Sequence, residues 1–419
     1  MPASKPRSRA LRAWQFAVAA CAVLAAFSGG AAAAAPQVEG AAGQGPFVFG
    51  NGFEGRSSIV DGPGTAAVLA GRWSSIAIGS DGFPVISYMA SDATTSFLRV
   101  AKCSDARCAG PAQITTVDNQ GTDIASTGTS IAIGPDGLPV ISYASRPAGS
   151  MKVVKCGNAA CSSANVITNI DDQTPQDVST YSSITIGSDG LPIVSYFNSS
   201  LGTLKLVKCG NAACSAANQT STLSGADTVV NSGQNTAIKV GGDGLPIVSY
   251  NTSTALNFAL KTVKCGNLAC TSGNVVSTVD DPANAVGDFN AMVIGTDGFP
   301  VIAYRDITAR AVKVVKCGNA TCTSGNTITT VDDSSNSMGV DIAIALAPNG
   351  RPVIVHRDLT ERQNVMIQCG NSASCSAGNQ RSVLEGGIDA QELSIAIGAD
   401  GLPLVTYYDF DARSLKIAR

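Results

Sequence analysis

Seven positions, spaced 51 to 55 residues apart, carry side chains suited to binding or transforming a small ligand. They hold three aromatic rings, two acids, an amide and a glycine: Trp73, Gly128, Tyr181, Asn235, Phe289, Asp341 and Glu392. Aromatic faces stack on sugar rings, and carboxylates accept hydrogen bonds from sugar hydroxyls. Asp341 and Glu392 could also act as acid and base or nucleophile in glycosidic-bond cleavage. Alternatively, the seven residues form a variable collar that packs against its neighbours.

Three charged segments late in the chain provide a second group of candidates, at residues 305–310, 357–362 and 408–413. In each segment an Asp is followed four residues later by an Arg, and such a pair can form a salt bridge across a hairpin. We therefore expect a solvated, salt-bridged rim. If the segments instead form a charged docking patch, Arg305 and Arg357 become candidate ligand-binding residues.

The single histidine restricts the catalytic chemistry available. Ser-His-Asp and Cys-His mechanisms need a histidine base. His356 stands where the other copies of a repeated segment have tyrosine: Tyr88, Tyr143, Tyr196, Tyr250, Tyr304 and Tyr407. This pattern favours a packing role for His356, and we assign no catalytic residue.

Adjacent aspartates are the candidate metal ligands: Asp171, Asp172, Asp280, Asp281, Asp332 and Asp333. None shows the Asp-x-Asp-x-Asp-Gly spacing of an EF-hand loop, and aspartate pairs at strand ends commonly form turns. Zinc is disfavoured because each cysteine pair supplies only two ligands. We predict no cofactor and no metal site, with Ca²⁺ as the alternative.

These candidates are positioned by a repeat of 51 to 55 residues that occurs seven times. Its clearest segment is Ser75–Tyr88, which returns at 130–143, 183–196, 237–250, 291–304, 343–356 and 394–407. Each copy predicts four short strands, here called a to d, with an Asp-Gly turn between strands a and b. Repeated four-stranded units of this length are typical of β-propeller blades. Blades begin near residues 73, 128, 181, 235, 289, 341 and 392.

The chain ends favour a closed ring. The seventh copy stops after strand c at Arg419, whereas residues 56–61 match strand d of other copies. A strand from the N-terminal side would complete the last blade and remove exposed sheet edges. The prediction is an all-β, seven-bladed propeller spanning residues 56–419, with the a-strand starts at the mouth of its central channel.

Twelve of the 13 cysteines form six local pairs, one in each of the first six copies. They flank the turn between strands c and d: Cys103 with Cys108, Cys156 with Cys161, Cys209 with Cys214, Cys265 with Cys270, Cys317 with Cys322, and Cys369 with Cys375. Two cysteines on the arms of a tight hairpin come within disulfide distance. We predict six disulfides, which persist in oxidising compartments.

The repeat unit, Asp-Gly-x-Pro-x-x-Ser-Tyr followed by Lys-Cys-Gly-Asn-x-x-Cys, resembles repeat arrays in exported bacterial proteins of uncharacterised function. That resemblance covers nearly all of residues 56–419 and implies no particular activity. A more distant resemblance is to sialidase propellers, whose Asp-boxes run Ser/Thr-x-Asp-x-Gly-x-x-Trp. Residues 79–84, Gly-Ser-Asp-Gly-Phe-Pro, depart from that box because Gly directly follows Asp and the Trp is absent.

The N-terminal residues predict export. Residues 1–35 combine a basic start, an apolar stretch and an alanine run, as signal peptides do. Cys21 lies in a lipobox-like sequence, so a surface lipoprotein is the alternative to a secreted or periplasmic protein. Residues 36–55 are interpreted as a flexible lead-in. No later segment is apolar enough to span a membrane, and a net charge of −3 without a basic run argues against a nucleic-acid partner.

Three functions remain open at this point. The leading hypothesis is a non-catalytic binding or scaffold protein, monomeric, that uses the face of the d–a and b–c loops to hold a glycan or another protein. The alternative is a glycosidase or polysaccharide lyase with carboxylates at the channel mouth. A passive envelope protein without a specific site is the third.

Overall fold

The computed structural model describes residues 57–62, 69–92, 94–119, 121, 128–145, 149–172, 181–223, 234–253, 258–281, 285–334, 339–371, 373–387 and 389–419. Within these ranges the regular structure consists of β-strands joined by turns, with no helix. The predicted signal peptide (1–35), with Cys21, and the lead-in (36–55) lie outside the described residues. No described helix could cross a membrane.

The described strands form seven antiparallel sheets of four. Blades 1 to 3 contain β2 (Leu69–Ile78), β3 (Pro84–Ser91), β4 (Ser96–Lys102), β5 (Gln113–Asn119); β6 (Thr129–Ile133), β7 (Pro139–Ser145), β8 (Ser150–Lys155), β9 (Val166–Asp172); and β10 (Ser182–Ile186), β11 (Pro192–Asn198), β12 (Thr203–Lys208), β13 (Gln219–Thr222). Blades 4 and 5 contain β14 (Gln234–Val240), β15 (Pro246–Ser253), β16 (Phe258–Lys264), β17 (Val275–Asp280); and β18 (Val286–Ile294), β19 (Pro300–Asp306), β20 (Ala311–Lys316), β21 (Thr327–Asp332). Blades 6 and 7 contain β22 (Val340–Leu346), β23 (Pro352–Asp358), β24 (Gln363–Gln368), β25 (Gln380–Gly386); and β26 (Ala390–Ile397), β27 (Pro403–Asp409), β28 (Ser414–Ala418) with β1 (Ser57–Asp61).

The blades form a closed ring. The first strand of each blade contacts the first strand of the next, and β26 of blade 7 contacts β2 of blade 1. Strand β1 pairs antiparallel with β28, with Ser57 opposite Ala418, so the N-terminal strand is the outermost strand of blade 7. The predicted seven-bladed propeller and its closing strand are therefore confirmed.

Apolar side chains are buried mainly between neighbouring blades. One cluster joins Val85 and Val100 of blade 1 to Ile141 and Val154 of blade 2, and similar clusters lie between the other pairs. Strand side chains alternate between the two faces of a sheet, so each central strand contributes to the clusters on both sides of its blade. The hydrophobic effect thereby holds the ring together.

The repeated Asp-Gly turn confirms its predicted role and adds a second one. Asp136 Oδ1 accepts a hydrogen bond from the backbone N–H of Leu138 at 3.1 Å, and Gly137 has φ 76°. The same carboxylate binds Lys155 Nζ at 2.8 Å. Lys155 directly precedes a disulfide cysteine, so the repeated Lys-Cys dipeptide joins strand c to the a–b turn within a blade.

In five blades the repeated tyrosine donates a hydrogen bond to the blade before it. The Tyr88 hydroxyl donates to Asp61 Oδ2 at 2.6 Å, across the junction of blades 7 and 1. Equivalent bonds join Tyr143 to Asp118, Tyr196 to Asp171, Tyr304 to Asp280 and Tyr407 to Glu385. His356 occupies this position in blade 6, is fully buried, and contacts Asp332 at 3.1 Å. The histidine thus has a packing environment, as predicted.

Six disulfides connect the predicted cysteine pairs, with Cα–Cα distances of 4.7 to 5.0 Å. They join Cys103 to Cys108, Cys156 to Cys161, Cys209 to Cys214, Cys265 to Cys270, Cys317 to Cys322, and Cys369 to Cys375. Each closes a hairpin between strands c and d. Blade 7 has no cysteine pair and also no such hairpin, because its strand d comes from the other end of the chain. The disulfides therefore occur wherever the fold has a c–d hairpin to close.

The second cysteine of every pair has a backbone conformation that the sequence did not predict. All six are in the left-handed region, with φ between 51° and 55°, and they are Cys108, Cys161, Cys214, Cys270, Cys322 and Cys375. In the first five pairs its backbone N–H donates to the carbonyl three residues earlier, as Cys161 does to Asn158 at 3.0 Å. The second cysteine therefore ends a tight turn within the hairpin loop and does not lie on strand d. This turn reverses the chain, so that the second cysteine reaches the first within five or six residues.

Candidate functional site at the channel mouth

All seven positions singled out by the repeat line one cavity at the channel mouth. It has a volume of about 210 Å³, and its walls consist of these seven residues and the residue that follows each of them. They are Trp73, Gly128, Tyr181, Asn235, Phe289, Asp341 and Glu392. The structure therefore brings together five predicted ligand-binding residues from five blades.

The backbone at these positions is unusual. Six of the seven residues, all except Tyr181, are in the left-handed region with φ between 47° and 66°. Glycine and asparagine adopt this conformation readily, but for Trp73 and Phe289 it costs about 1–2 kcal/mol each. In blade 1 the register of β2 against β3 shifts between Arg72 and Ser75, as it does at a β-bulge. Strained backbone retained with bulky side chains is a common feature of functional sites.

The aromatic side of the mouth is formed by two rings. Trp73 and Tyr181 meet edge to face, with centroids 6.4 Å apart and an interplanar angle of 84°. The indole N–H of Trp73 has no hydrogen-bond partner among the described residues. Phe289 also lines the cavity. It packs partly against the core between blades 5 and 6, as Trp73 does against the core between blades 1 and 2.

The acidic side of the mouth is centred on Glu392. Its side chain is 6% exposed, accepts a hydrogen bond from the backbone N–H of Trp73 and pairs with Arg72 Nη2 at 3.2 Å. Burial raises the pKa of Glu392 to about 7, despite the opposing effect of Arg72. This carboxyl group can therefore gain or lose a proton near neutral pH.

Asp341 and Asp288 continue the acidic side around the ring. Asp341 Oδ2 accepts a hydrogen bond from the backbone N–H of Glu392 at 3.1 Å, and Asn235 Nδ2 donates to Asp288 Oδ1 at 2.8 Å. Burial raises the pKa of both aspartates. Asp341 and Glu392 each reach a backbone amide of the next blade, so both carboxylates also help to join the blades.

Arg305 and Arg357 lie beside this acidic side rather than on the cavity wall. Arg305 is 4.0 Å from Asp288, and Arg357 pairs with Asp389. Both guanidinium groups act electrostatically on Asp341. Their predicted contact with a ligand stays a prediction, and their observed effect is to offset the charge of the mouth carboxylates.

In the b–c loops of blades 5 and 7, the aspartate pairs with a lysine of strand c instead of the expected arginine. Asp306 binds Lys313 at 2.6 Å, and Asp409 binds Lys416 at 2.7 Å, both on strand c of the same blade. The reason is geometric. The arginine four residues later lies at a left-handed turn position, with φ 57° at Arg310, while strand c presents its lysine beside the aspartate. These two loop aspartates therefore stabilise their own hairpins, while the solvated salt bridge at the rim joins neighbouring loops, where Arg362 Nη2 lies 3.6 Å from Asp411 Oδ2.

The acidic d–a segments have structural partners. Asp171, Asp280 and Asp332 are the acceptors of the interblade bonds from Tyr196, Tyr304 and His356. Among the described residues no group of three His, Cys, Asp or Glu has a metal-binding arrangement. Ca²⁺ binding by the d–a segments stays a prediction.

Several mouth residues were not recognised from the sequence. Arg72 and Asp288 each precede a ring residue, and their charges could have been found by comparing that position across the copies.

Glu392 gives a pH prediction. A carboxyl group with a raised pKa in the folded protein holds its proton more tightly there than in the unfolded chain. Its contribution to stability is therefore lost as pH rises from about 4.5 through 7. Between pH 4 and 8, the unfolding free energy of the wild type is expected to fall by roughly 3 kcal/mol relative to Glu392→Gln. Chemical denaturation at both pH values measures this, with the exposed Glu361→Gln as control. Parallel pH profiles for the wild type and Glu392→Gln would contradict it.

The fold and the mouth define a seven-bladed β-propeller with a ligand-sized cavity at one end of its channel. No protein-family model and no curated protein matches the sequence. A protein of unknown function from Dyadobacter fermentans has a TM-score of 0.52 at 11% identity, covering 86% of this chain and 96% of that chain. The polysaccharide lyase Uly1 has a TM-score of 0.52 at 10% identity, covering 85% and 90%.

The NanB sialidase from Streptococcus pneumoniae is a more distant structural relative, with a TM-score of 0.49 at 10% identity over 86% of this chain and 70% of that chain. At such identities the two similarities with a TM-score of 0.52 show the propeller fold alone. The resemblance to sialidase propellers stays a prediction, and no family model supports the resemblance to exported repeat arrays.

Proposed function

We propose that this protein is an exported, non-catalytic glycan-binding propeller whose channel mouth holds a single sugar ring. The observation that carries the proposal is the cavity that Trp73 and Tyr181 line together with Glu392 and Asp341 within a ring of seven inner strands. Aromatic faces suit the apolar faces of a sugar, and carboxylates suit its hydroxyls. The Trp73 indole N–H adds a donor beside the stacking surface.

Two physical features support a bound ligand over a passive collar. Trp73 and Phe289 keep a left-handed backbone that glycine or asparagine would adopt without strain, as Gly128 and Asn235 do in other blades. The perpendicular rings of Trp73 and Tyr181 also form a corner that can contact one ligand ring from two sides.

The size of the cavity limits the ligand. At about 210 Å³ it is smaller than the roughly 300–1,000 Å³ of pockets for drug-sized molecules. A single ring, such as the terminal unit of a glycan, suits this volume better than a buried oligosaccharide or a broad protein surface. A protein partner that inserts one side chain is the other ligand of this size.

Export is part of the proposal. Six buried disulfides fit an oxidising compartment, and residues 1–35 have the composition of a signal peptide. Mass spectrometry of the mature N-terminus tests this, and distinguishes cleavage near residue 35 from lipidation at Cys21. A mature chain that retains residues 1–35 would contradict export through this signal.

A carbohydrate-active enzyme is the second candidate, and one observation favours it. A carboxyl group with a pKa of about 7, as in Glu392, suits a general acid at neutral pH. However, both oxygens of Glu392 have protein partners, the Trp73 amide and Arg72. The bond to the Trp73 amide serves the blade junction, so we favour binding over catalysis.

The decisive variant is Trp73→Asn, because asparagine already occupies the same position in blade 4 with the same backbone conformation. In a glycan-array screen of the oxidised protein, we expect specific binding that falls at least about 30-fold in this variant, as at an aromatic hot spot. Relief of backbone strain opposes the loss of the indole's packing against the core between blades 1 and 2, so the unfolding free energy should stay within about 1 kcal/mol of the wild type.

The matched control is Phe83→Leu, at the a–b turn on the opposite face, where four other blades have leucine. It should bind as the wild type does. Binding that survives Trp73→Asn would reject the mouth as the site. If the protein converts the bound glycan, and Glu392→Gln abolishes this turnover, the second candidate function, a carbohydrate-active enzyme, replaces the binding proposal.

A further inference from the structure

One arginine beside the mouth stands at a position where no other blade has a basic residue. The residues that precede the seven mouth positions are, in blade order, Arg72, Thr127, Thr180, Gln234, Asp288, Val340 and Gln391. Arg72 is not on the wall of the mouth cavity, and its side chain is 42% exposed. It therefore acts on a ligand in the cavity through the residues that it contacts.

The guanidinium of Arg72 lies close to two aromatic rings and a carboxylate. Its central carbon is 5.8 Å from the ring centroid of Trp73 and 6.0 Å from that of Tyr408. Its Nη2 is 3.2 Å from Glu392 Oε1. A guanidinium is attracted to an aromatic face by the cation–π interaction. Because Tyr408 and Glu392 belong to blade 7, Arg72 joins the indole of blade 1 to two side chains of the neighbouring blade.

The same carboxylate also holds the backbone of Trp73. Glu392 accepts a hydrogen bond from the Trp73 amide with one oxygen and from Arg72 with the other. One carboxylate therefore fixes the indole twice, directly through the backbone and indirectly through the stacked guanidinium. Trp73 has a left-handed backbone, with φ 55°, and a bulky residue keeps this strained conformation only where its surroundings hold it.

We propose that Arg72 is a positioning residue that keeps the Trp73 indole in the orientation that stacks on a ligand, and that the ionised Glu392 keeps Arg72 in place. This inference rests on the proposed glycan site. Protonation of Glu392 removes the charge that attracts the guanidinium, so ligand affinity falls at acidic pH. The other titratable groups that act on Glu392 or respond to it are Asp341 and Tyr408. Burial raises the pKa of Glu392 to about 7, which places the change near neutral pH.

The first test needs no ligand. In the chain from residue 36 onwards Trp73 is the only tryptophan, so its fluorescence reports on the mouth. At pH 8, Arg72→Gln should lower the fluorescence anisotropy of the indole and increase its quenching by acrylamide, because the indole moves more freely. In the wild type the anisotropy should fall between pH 8 and pH 5, and this change should largely disappear in Arg72→Gln. Arg72→Lys keeps the charge and should retain the pH dependence.

Arg99→Gln is the matched control. Arg99 also stacks on an aromatic ring, that of Phe97 at 5.7 Å, and pairs with a carboxylate of blade 7, that of Asp61 at 3.0 Å. This variant removes a similar stacked ion pair from the same junction between blades and leaves the mouth intact. It should change neither the fluorescence of Trp73 nor its pH dependence.

A binding measurement separates this inference from the glycan proposal. For the array glycan that binds the wild type most tightly, the affinity at pH 8 should fall about 3-fold in Arg72→Gln and less in Arg72→Lys. Unchanged fluorescence or unchanged affinity in Arg72→Gln would overturn the positioning role, as would an equal loss in Arg99→Gln. If the fluorescence changes as expected but no glycan binds the wild type, the positioning of Trp73 is supported and the glycan proposal fails.

Discussion

Removing residues 1–61 is expected to destabilise the propeller by about 5 kcal/mol and to make it associate. The deletion removes β1, which supplies the outermost strand of blade 7. Its backbone hydrogen bonds to β28 contribute about 1 kcal/mol each, and the buried contacts of Val60 with the core between blades 7 and 1 are lost as well. The exposed edge of β28 would then be open to pairing with another chain.

The same deletion breaks a junction between blades. Asp61 accepts hydrogen bonds from the Tyr88 hydroxyl at 2.6 Å and from Arg99 at 3.0 Å. Without it, a buried hydroxyl and a half-buried guanidinium of blade 1 lose their shared acceptor. Asp61→Asn isolates this part, because the strand remains while its charge is lost, and should cost about 1–3 kcal/mol.

Denaturant unfolding and size-exclusion chromatography measure both effects. The control is a chain that begins at residue 56. It keeps β1 and should unfold as the mature protein does. If the chain lacking residues 1–61 unfolds at the same denaturant concentration as this control and stays monodisperse, β1 does not hold the ring closed.

Reduction of the six disulfides is expected to have the largest effect of all. Each closes a loop with a sequence separation of five or six residues, which corresponds to about 2 kcal/mol, or about 12 kcal/mol for all six. A fully reduced chain should therefore unfold at a much lower denaturant concentration. The cysteines are at most 4% exposed, so reduction of the native protein should also be slow and require local opening of the hairpins.

The comparison uses protein reduced under denaturing conditions and refolded with reductant, against protein refolded after reoxidation. Replacing one pair, Cys156→Ala with Cys161→Ala, should cost about 2 kcal/mol and shows whether the contributions add. Equal unfolding midpoints for the reduced and oxidised proteins would show that strand pairing alone stabilises the hairpins.

The large features of this fold follow from local sequence. Alternating apolar residues define the strands, and the Asp-Gly turns, as at Asp136 and Gly137, set where strand a reverses into strand b. Because these signals recur seven times, the number of blades and the closing strand could be predicted by alignment of the chain with itself. The cysteine pairs follow in the same way, since each lies within a single hairpin. The left-handed backbone of the second cysteine, as at Cys108, did not follow, because the loop has no glycine there to indicate it.

The mouth was only partly predictable. Comparison of the copies identified the seven lining positions. Packing constrains most positions of a blade to similar residues in every copy, whereas a position next to the channel can vary. The comparison did not show that Phe289 packs partly into the core, that Arg72 lies between Trp73 and Tyr408, or that the loop aspartates bind strand lysines. Each of these depends on the direction that a side chain takes in the folded blade.

By itself, then, the sequence determined what depends on neighbours within one repeat: the strands, turns, disulfide pairing and blade count. The tertiary structure decided what depends on ring closure. Arg72 and Glu392 are 320 residues apart in the chain and 3.2 Å apart in space, because blade 7 returns to blade 1. The raised pKa of Glu392 likewise arises from burial between blades, which no single repeat contains.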